Sequence, residues 1–199
     1  MMVRLKPDTT AIDIAIVPPA DVSARAIALS AALPADQSQG LLLAADRLPH
    51  ITLTQHFVPS ESIDPLLAQL DRLVVRDWQP IHLRVTGGGQ GSNSVWMSIE
   101  RSPELMNMHE RLLQIAEPFE ATSGDVSAFF GEDARERDVR WVREFRRQSS
   151  FDRFTPHITL GHASEPPAVE PMAFIATTIA VCHLGRFCTC RRIIRAWHL

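Results

Sequence analysis

The sequence is short of several things, and each shortage removes a class of protein. No apolar run approaches the length that spans a bilayer. Residues Met1 to Thr10 lack the apolar core of a secretory signal. Cysteine is scarce. The three present, Cys182, Cys188 and Cys190, are an odd number clustered together and make no disulfide framework. A reduced, cytoplasmic protein away from membranes is the expectation. Positive charge is not in excess either. The formal net charge is −3, whereas a chain that lives on long duplex nucleic acid is usually plainly basic. A short or terminal nucleotide target stays compatible with that charge.

Metal and phosphate-loop signatures are missing too. Cys188 and Cys190 fall two apart in a strand pattern without a C-x-x-C knuckle, so core thiols are favoured over zinc ligands. The run Gly87-Gly88-Gly89-Gln90-Gly91 lies between two strand patterns and no Lys-Ser/Thr follows it. Phosphate-loop fingerprints therefore fail, and a flexible hairpin loop over 87–93 is expected. No metal and no cofactor is expected.

The 199 residues, 45% hydrophobic and 22% charged, describe an ordinary globule with enough chain for a proper core. One domain over 1–199 and a monomer are expected. Ala11 to Val17 alternates like a strand and stops at Pro18-Pro19, and Asp21 opens a helix to about Leu33. A short strand is read at Leu41 to Ala45, then a strand over 50–58. A helix follows Ser60-Glu61-Ser62, with Ile63, Leu66, Leu67, Leu70 and Leu73 at helical spacing. Ile81 to Thr86 and Ser94 to Ile99 form a hairpin. Ser102-Pro103-Glu104 starts a third helix with proline in its first turn, and Pro118 ends it. Residues 120–153 carry seven arginines offset by acids, with Val139, Val142 and Phe145 marking a short amphipathic helix. This segment reads as an inserted connection with a solvated, salt-bridged face. A strand over 157–163 and two more near 173–185 and 187–197 complete the pattern.

One phrase occurs twice. Pro49-His50-Ile51-Thr52-Leu53 and Pro156-His157-Ile158-Thr159-Leu160 are identical and lie about half a chain apart. Such a repeat arises by chance on the order of once in a hundred sequences of this size. Each copy reads as a strand with proline at its start, where a missing N–H is tolerated. His and Thr, two apart, share one face roughly 6–7 Å apart along the strand, and Ile and Leu face a core. Two such strands side by side would gather two imidazoles and two hydroxyls around one cavity. Imidazoles titrate near neutrality and suit paired proton transfer, and hydroxyls can hold phosphate oxygens.

Two His-x-Thr motifs at this spacing resemble the 2H phosphoesterase superfamily, which includes the bacterial 2′-5′ RNA ligase-like proteins. Phe154-Thr155-Pro156-His157-Ile158-Thr159-Leu160-Gly161 looks like the second motif of that family, and His50-Ile51-Thr52-Leu53 fits at its core. The resemblance implies an α+β fold, a duplicated β/α unit with two lobes of antiparallel sheet, helices outside and a central groove. It implies metal-independent cleavage of a 2′,3′-cyclic phosphate or 2′-5′ phosphodiester in RNA ends or small nucleotides. His50 would be the acid, His157 the base, and Thr52 and Thr159 the phosphate holders.

His162 stands where the family often has arginine, so a cationic anchor must come from elsewhere or be absent. Strand parity takes His162 off the catalytic face unless the strand bends. His56 is a further candidate for ligand contact, and Trp96 and Trp141 are read as core or interface before base-stacking. Two alternatives stay open: a nucleotide- or RNA-end-binding module with little turnover, and a hydrolase of cyclic oligonucleotide signals.

Overall fold

The computed structural model describes residues 8–198, and the segment before Asp8, part of the stretch read for a signal, lies outside them. Among the described residues the chain runs β1 (Thr9–Ile16), α1 (Ala20–Ala31), β2 (Ile51–Pro59), α2 (Ile63–Asp77), β3 (Ile81–Gln90), β4 (Ser94–Ile99) and α3 (Pro103–Ala116). It continues with α4 (Glu136–Ser149), β5 (His157–His162), β6 (Met172–Ala176), β7 (Thr178–Leu184) and β8 (Cys190–His198). The strands form two four-stranded antiparallel sheets, ordered β2-β1-β7-β8 and β5-β4-β3-β6. This is the α+β architecture the repeated motif led us to expect. No helix among the described residues is long and apolar enough to cross a membrane.

The two faces of β1 explain the layering. Ile12, Ile14 and Ile16 enter the main core, while the small residues Ala11 and Ala15 flank Asp13 on the other face. Pro18 and Pro19 end the strand, and α1 buries Val22, Ala26 and Ser30 at four-residue spacing. At α3 the Ser102 side chain accepts the Leu105 N–H, and Pro103 occupies a first-turn site where no N–H is required. The amphipathic helix read within 120–153 is α4. It packs against β2 and buries Val139, Val142 and Phe145.

Three local expectations fail. The glycine run is strand, with Gly87, Gly88 and Gly89 opposite Ser98, Met97 and Trp96, so the connection shrinks to residues 91–93. A Cβ on Gly89 would collide with the Trp96 indole, and one on Gly88 with the Pro167 carbonyl, so these glycines permit close packing. Residues 41–45 form no strand. They make a turn closed by an Ala44–Arg47 bridge, with Leu41 and Leu43 buried. The long strand read near 173–185 is two, split at Thr177: β6 joins the β3 edge of one sheet and β7 joins β1 in the other. Thr177-Thr178, residues that favour strands, join the two without a Gly or Pro to mark the change of sheet.

Candidate active site

β2 and β5 are each the edge strand of a different sheet, and the two lie against one another. Both motifs share a backbone irregularity that alternation alone does not reveal. In β2 the register passes from Thr52 opposite Ala15 to Thr54 opposite Ile14, and Leu53 is the extra residue. In β5 it passes from Thr159 opposite Trp96 to Gly161 opposite Val95, and Leu160 is the extra residue. Each motif therefore carries a β-bulge at its leucine, which reverses the facing of everything after it.

Both bulges are closed by a buried polar side chain. His109 of α3 places Nδ1 at 2.5 Å from the Leu53 carbonyl, and Ser30 of α1 donates to the Leu160 carbonyl at 2.6 Å. Ser30 also accepts the Leu43 N–H at 3.0 Å. A bulge disrupts the ladder beside it, and an unpaired carbonyl in a core is costly, so these two residues stabilise the kinks.

The bulges decide the third residue of each motif. On β2 the face carrying His50 and Thr52 continues with Gln55, whereas His56 turns with Thr54 toward the opposite face. On β5 the face of His157 and Thr159 continues with His162, opposite Ser94. Parity without the bulge sends His162 away; the bulge returns it. The structural counterpart of His162 is Gln55, five residues after its motif histidine. His56, one residue further, is buried with Nδ1 at 3.1 Å from Glu120. Burial, aided by Arg146 and His109, pushes its pKa to about 3, so that contact is a neutral N–H donating to a carboxylate and not an ion pair.

The two motif histidines are tethered alike. His50 Nδ1 is 2.8 Å from the Leu48 carbonyl, and His157 Nδ1 is 2.7 Å from the Thr155 carbonyl. A carbonyl only accepts, so each neutral ring carries its proton on Nδ1 and leaves the Nε2 lone pair free. The proline between carbonyl and histidine holds the preceding residue extended. Desolvation lowers both imidazole pKa values, against the carbonyl bonds that raise them. The charge of His50 depresses His157 further, and the strands carrying the two motifs lie against one another. Trp96 braces His157, with ring centroids 4.9 Å apart at 39°.

Beneath His50 lies a residue outside both motifs. Asp13 is fully buried on β1, and its Oδ2 accepts from Thr52 Oγ1 at 2.7 Å and from Gln55 Nε2 at 2.8 Å. His50 Nε2 is 3.5 Å from the same oxygen. Desolvation drives the Asp13 pKa up to about 7, with the two hydrogen bonds opposing it. The one polar residue in the Ala-Ile-Asp-Ile-Ala-Ile alternation was the available signal. The resting contact commits the Thr52 proton to Asp13, and a protonated Asp13 accepts it more weakly.

His162 Nδ1 bonds the Ser38 carbonyl at 3.0 Å, and Arg137 of α4 meets its Nε2 at 3.4 Å. Other arginines of the segment are engaged with acids: Arg135 with Asp138, Arg146 with Glu120, Arg147 with Glu144. A depression beside α4, lined by Glu120, Arg143 and Arg146, gathers paired charges but no imidazole–hydroxyl pair.

Two sheets whose adjoining edges each carry a bulged His-x-Thr strand define a narrow class of protein. The family model for the 2′-5′ RNA ligase superfamily matches residues 17–182. The chain belongs to that superfamily. Among solved structures, Escherichia coli LigT complexed with 3′-AMP is similar at 22% identity, with 96% of this chain and 98% of that one covered and a TM-score of 0.62. A structure described as a phosphoesterase is similar at 22% identity over 96% and 98% of the two chains, TM-score 0.59. TT0787 of Thermus thermophilus is similar at 20% identity over 96% and 98%, TM-score 0.54. At such identities the likeness establishes the fold. No curated protein matches.

Proposed function

We propose that this chain opens 2′,3′-cyclic phosphates, or cleaves 2′-5′ phosphodiesters, in RNA ends or small nucleotides, by paired proton transfer between His50 and His157. The observation that carries the reading is the matched tethering of two imidazoles at adjoining strands, each held through Nδ1 so that its neutral ring keeps a lone pair on Nε2. His157 accepts a proton from water as its oxygen attacks phosphorus. His50, in its protonated form, donates to the 3′ oxygen as the P–O bond breaks, leaving a 2′-phosphate. A bound phosphate anion favours the charged imidazole that burial disfavours, so substrate itself prepares the acid. Thr159 donates to a non-bridging oxygen, and Thr52 does so by turning its hydroxyl from Asp13 to the phosphate, a turn eased when Asp13 is neutral and the weaker acceptor.

The resemblance of the fold to LigT, whose structures include one with 3′-AMP, supports a nucleotide-sized substrate. Arg137, which meets His162 on the face that carries His157 and Thr159, is a cation available to the substrate. By microscopic reversibility the same groups can join ends in a 2′-5′ linkage. A panel of 2′,3′-cyclic mononucleotides, cyclic-phosphate-ended oligonucleotides and 2′-5′ dinucleotides, resolved by product, tests the reading. A 2′-phosphate product from any cyclic substrate supports it. Tight binding of the panel without turnover makes the chain a binding module instead.

A further inference from the structure

Below the His50 ring, three unlike donor atoms converge. Asp13 from β1, His50 ahead of β2 and Cys190 at the start of β8 each offer one ligand atom, all within 4.8 Å of one another. The elements bring them together because β1 lies between β2 and β7, and β8 pairs with β7. On that face the neighbours of the cluster are small: Ala15, Ala180 and Cys182.

The surroundings leave this cluster short of positive charge. Asp13 is fully buried, both of its hydrogen bonds fall on Oδ2, and Oδ1 has no hydrogen-bond partner among the described residues. A buried carboxylate without a cation is costly, and it is stabilised by a proton or by a metal. His50 is arranged as metal-binding histidines are, with one ring nitrogen donating to a carbonyl and the other lone pair directed to the cluster. Cys190 contributes a buried sulfur, and a thiol that coordinates a metal loses its proton outright.

We infer that Asp13, His50 and Cys190 form a site for a zinc-class divalent cation, and that its occupancy silences the enzyme by capturing His50 Nε2. One imidazole nitrogen, one thiolate and one carboxylate suit zinc, and three protein ligands leave a fourth tetrahedral position for water. The bound unit is electrically neutral: the cation's two charges meet a carboxylate and a thiolate. The Cys190 proton, and that of Asp13 where present, pass to solvent, and no electron is transferred. The small exposed part of the His50 side chain, 11% of it, provides entry. The inhibitory half of this inference rests on the proposed acid–base role of His50, and the binding half does not.

The test uses chelator-stripped full-length protein titrated with Co²⁺ alone. The expected result is one equivalent bound, with a thiolate-to-cobalt charge-transfer band in the near ultraviolet that Zn²⁺ bleaches. Cys190→Ala should abolish the band, Cys188→Ser should retain it, and Asp13→Asn should weaken affinity roughly tenfold or more. Where Cys190→Ala does not fold, Cys190→Ser, which keeps the side-chain shape, serves in its place. In parallel, one equivalent of Zn²⁺ should suppress wild-type turnover relative to its metal-free rate, and the Cys190 variant should keep its own metal-free rate. No charge-transfer band in wild type, or a band lost with Cys188 and kept without Cys190, overturns the site and leaves the phosphoesterase reading standing. Stoichiometric binding through Cys190 without loss of turnover overturns the inhibition.

Discussion

His56→Gln separates the groove from its surroundings. The β2 bulge turns His56 into the interior, with a side chain 3% exposed beside Glu120, Arg146 and His109. Its folded pKa, about 3, lies below the ordinary 6.5. A base depressed by folding contributes stability that is complete above its unfolded pKa and is lost as pH falls, because the unfolded chain takes the proton first. At pH 5, 1.5 pH units below the ordinary value, that loss is about 2 kcal/mol, and it grows toward pH 3. Glutamine keeps a donor for Glu120 and does not titrate. Denaturant unfolding of both proteins at pH 7 and pH 5 should show the wild type losing about 2 kcal/mol more than the variant over that interval. Turnover at pH 7 should stay near wild type. Parallel stability curves, or a folded variant without turnover, would refute the placement of His56 outside the site.

Ser30→Ala should cost about 2–5 kcal/mol, since it orphans the buried Leu160 carbonyl and Leu43 N–H together, each worth about 1–3 kcal/mol; a midpoint shift below about 0.5 kcal/mol in denaturant unfolding would show the bulge closes without it. Thr159→Ala should weaken substrate binding as well as rate, by roughly 1.5–3 kcal/mol in kcat/KM, and a change confined to kcat would mean the hydroxyl acts only in the transition state. Turnover should survive EDTA, because the motif provides proton transfer and hydrogen bonds; loss with chelator, restored by a divalent ion, would contradict it.

The two motif strands and the apolar periodicity of the helices were legible because alternation and helical spacing report directly on burial. The bulges at Leu53 and Leu160 were not. A single extra residue leaves no mark on composition, yet it exchanges His56 for Gln55 and brings His162 back to the face of His157 and Thr159. The glycines of β3 misled for a related reason. Absence of a side chain signals a turn and close packing equally, and the packing partner, Trp96, is visible only in three dimensions. Asp13 was not legible as a site residue because its burial depends on β2 and β7 enclosing β1. The strand change at Thr177 was hidden because threonine favours strands and no turn residue marks the break.

The central claim is that His50 and His157 act as one proton-transfer unit. Its most direct test is kcat for wild type, His50→Gln, His157→Gln and the double variant on one 2′,3′-cyclic mononucleotide, in chelator-treated buffer with folding checked. Each single variant should lose about 10²–10⁴-fold. The double variant should fall little further than the worse single one, because acid and base serve the same step. A folded single variant with near-full turnover, or a double variant losing the product of both effects, would contradict it.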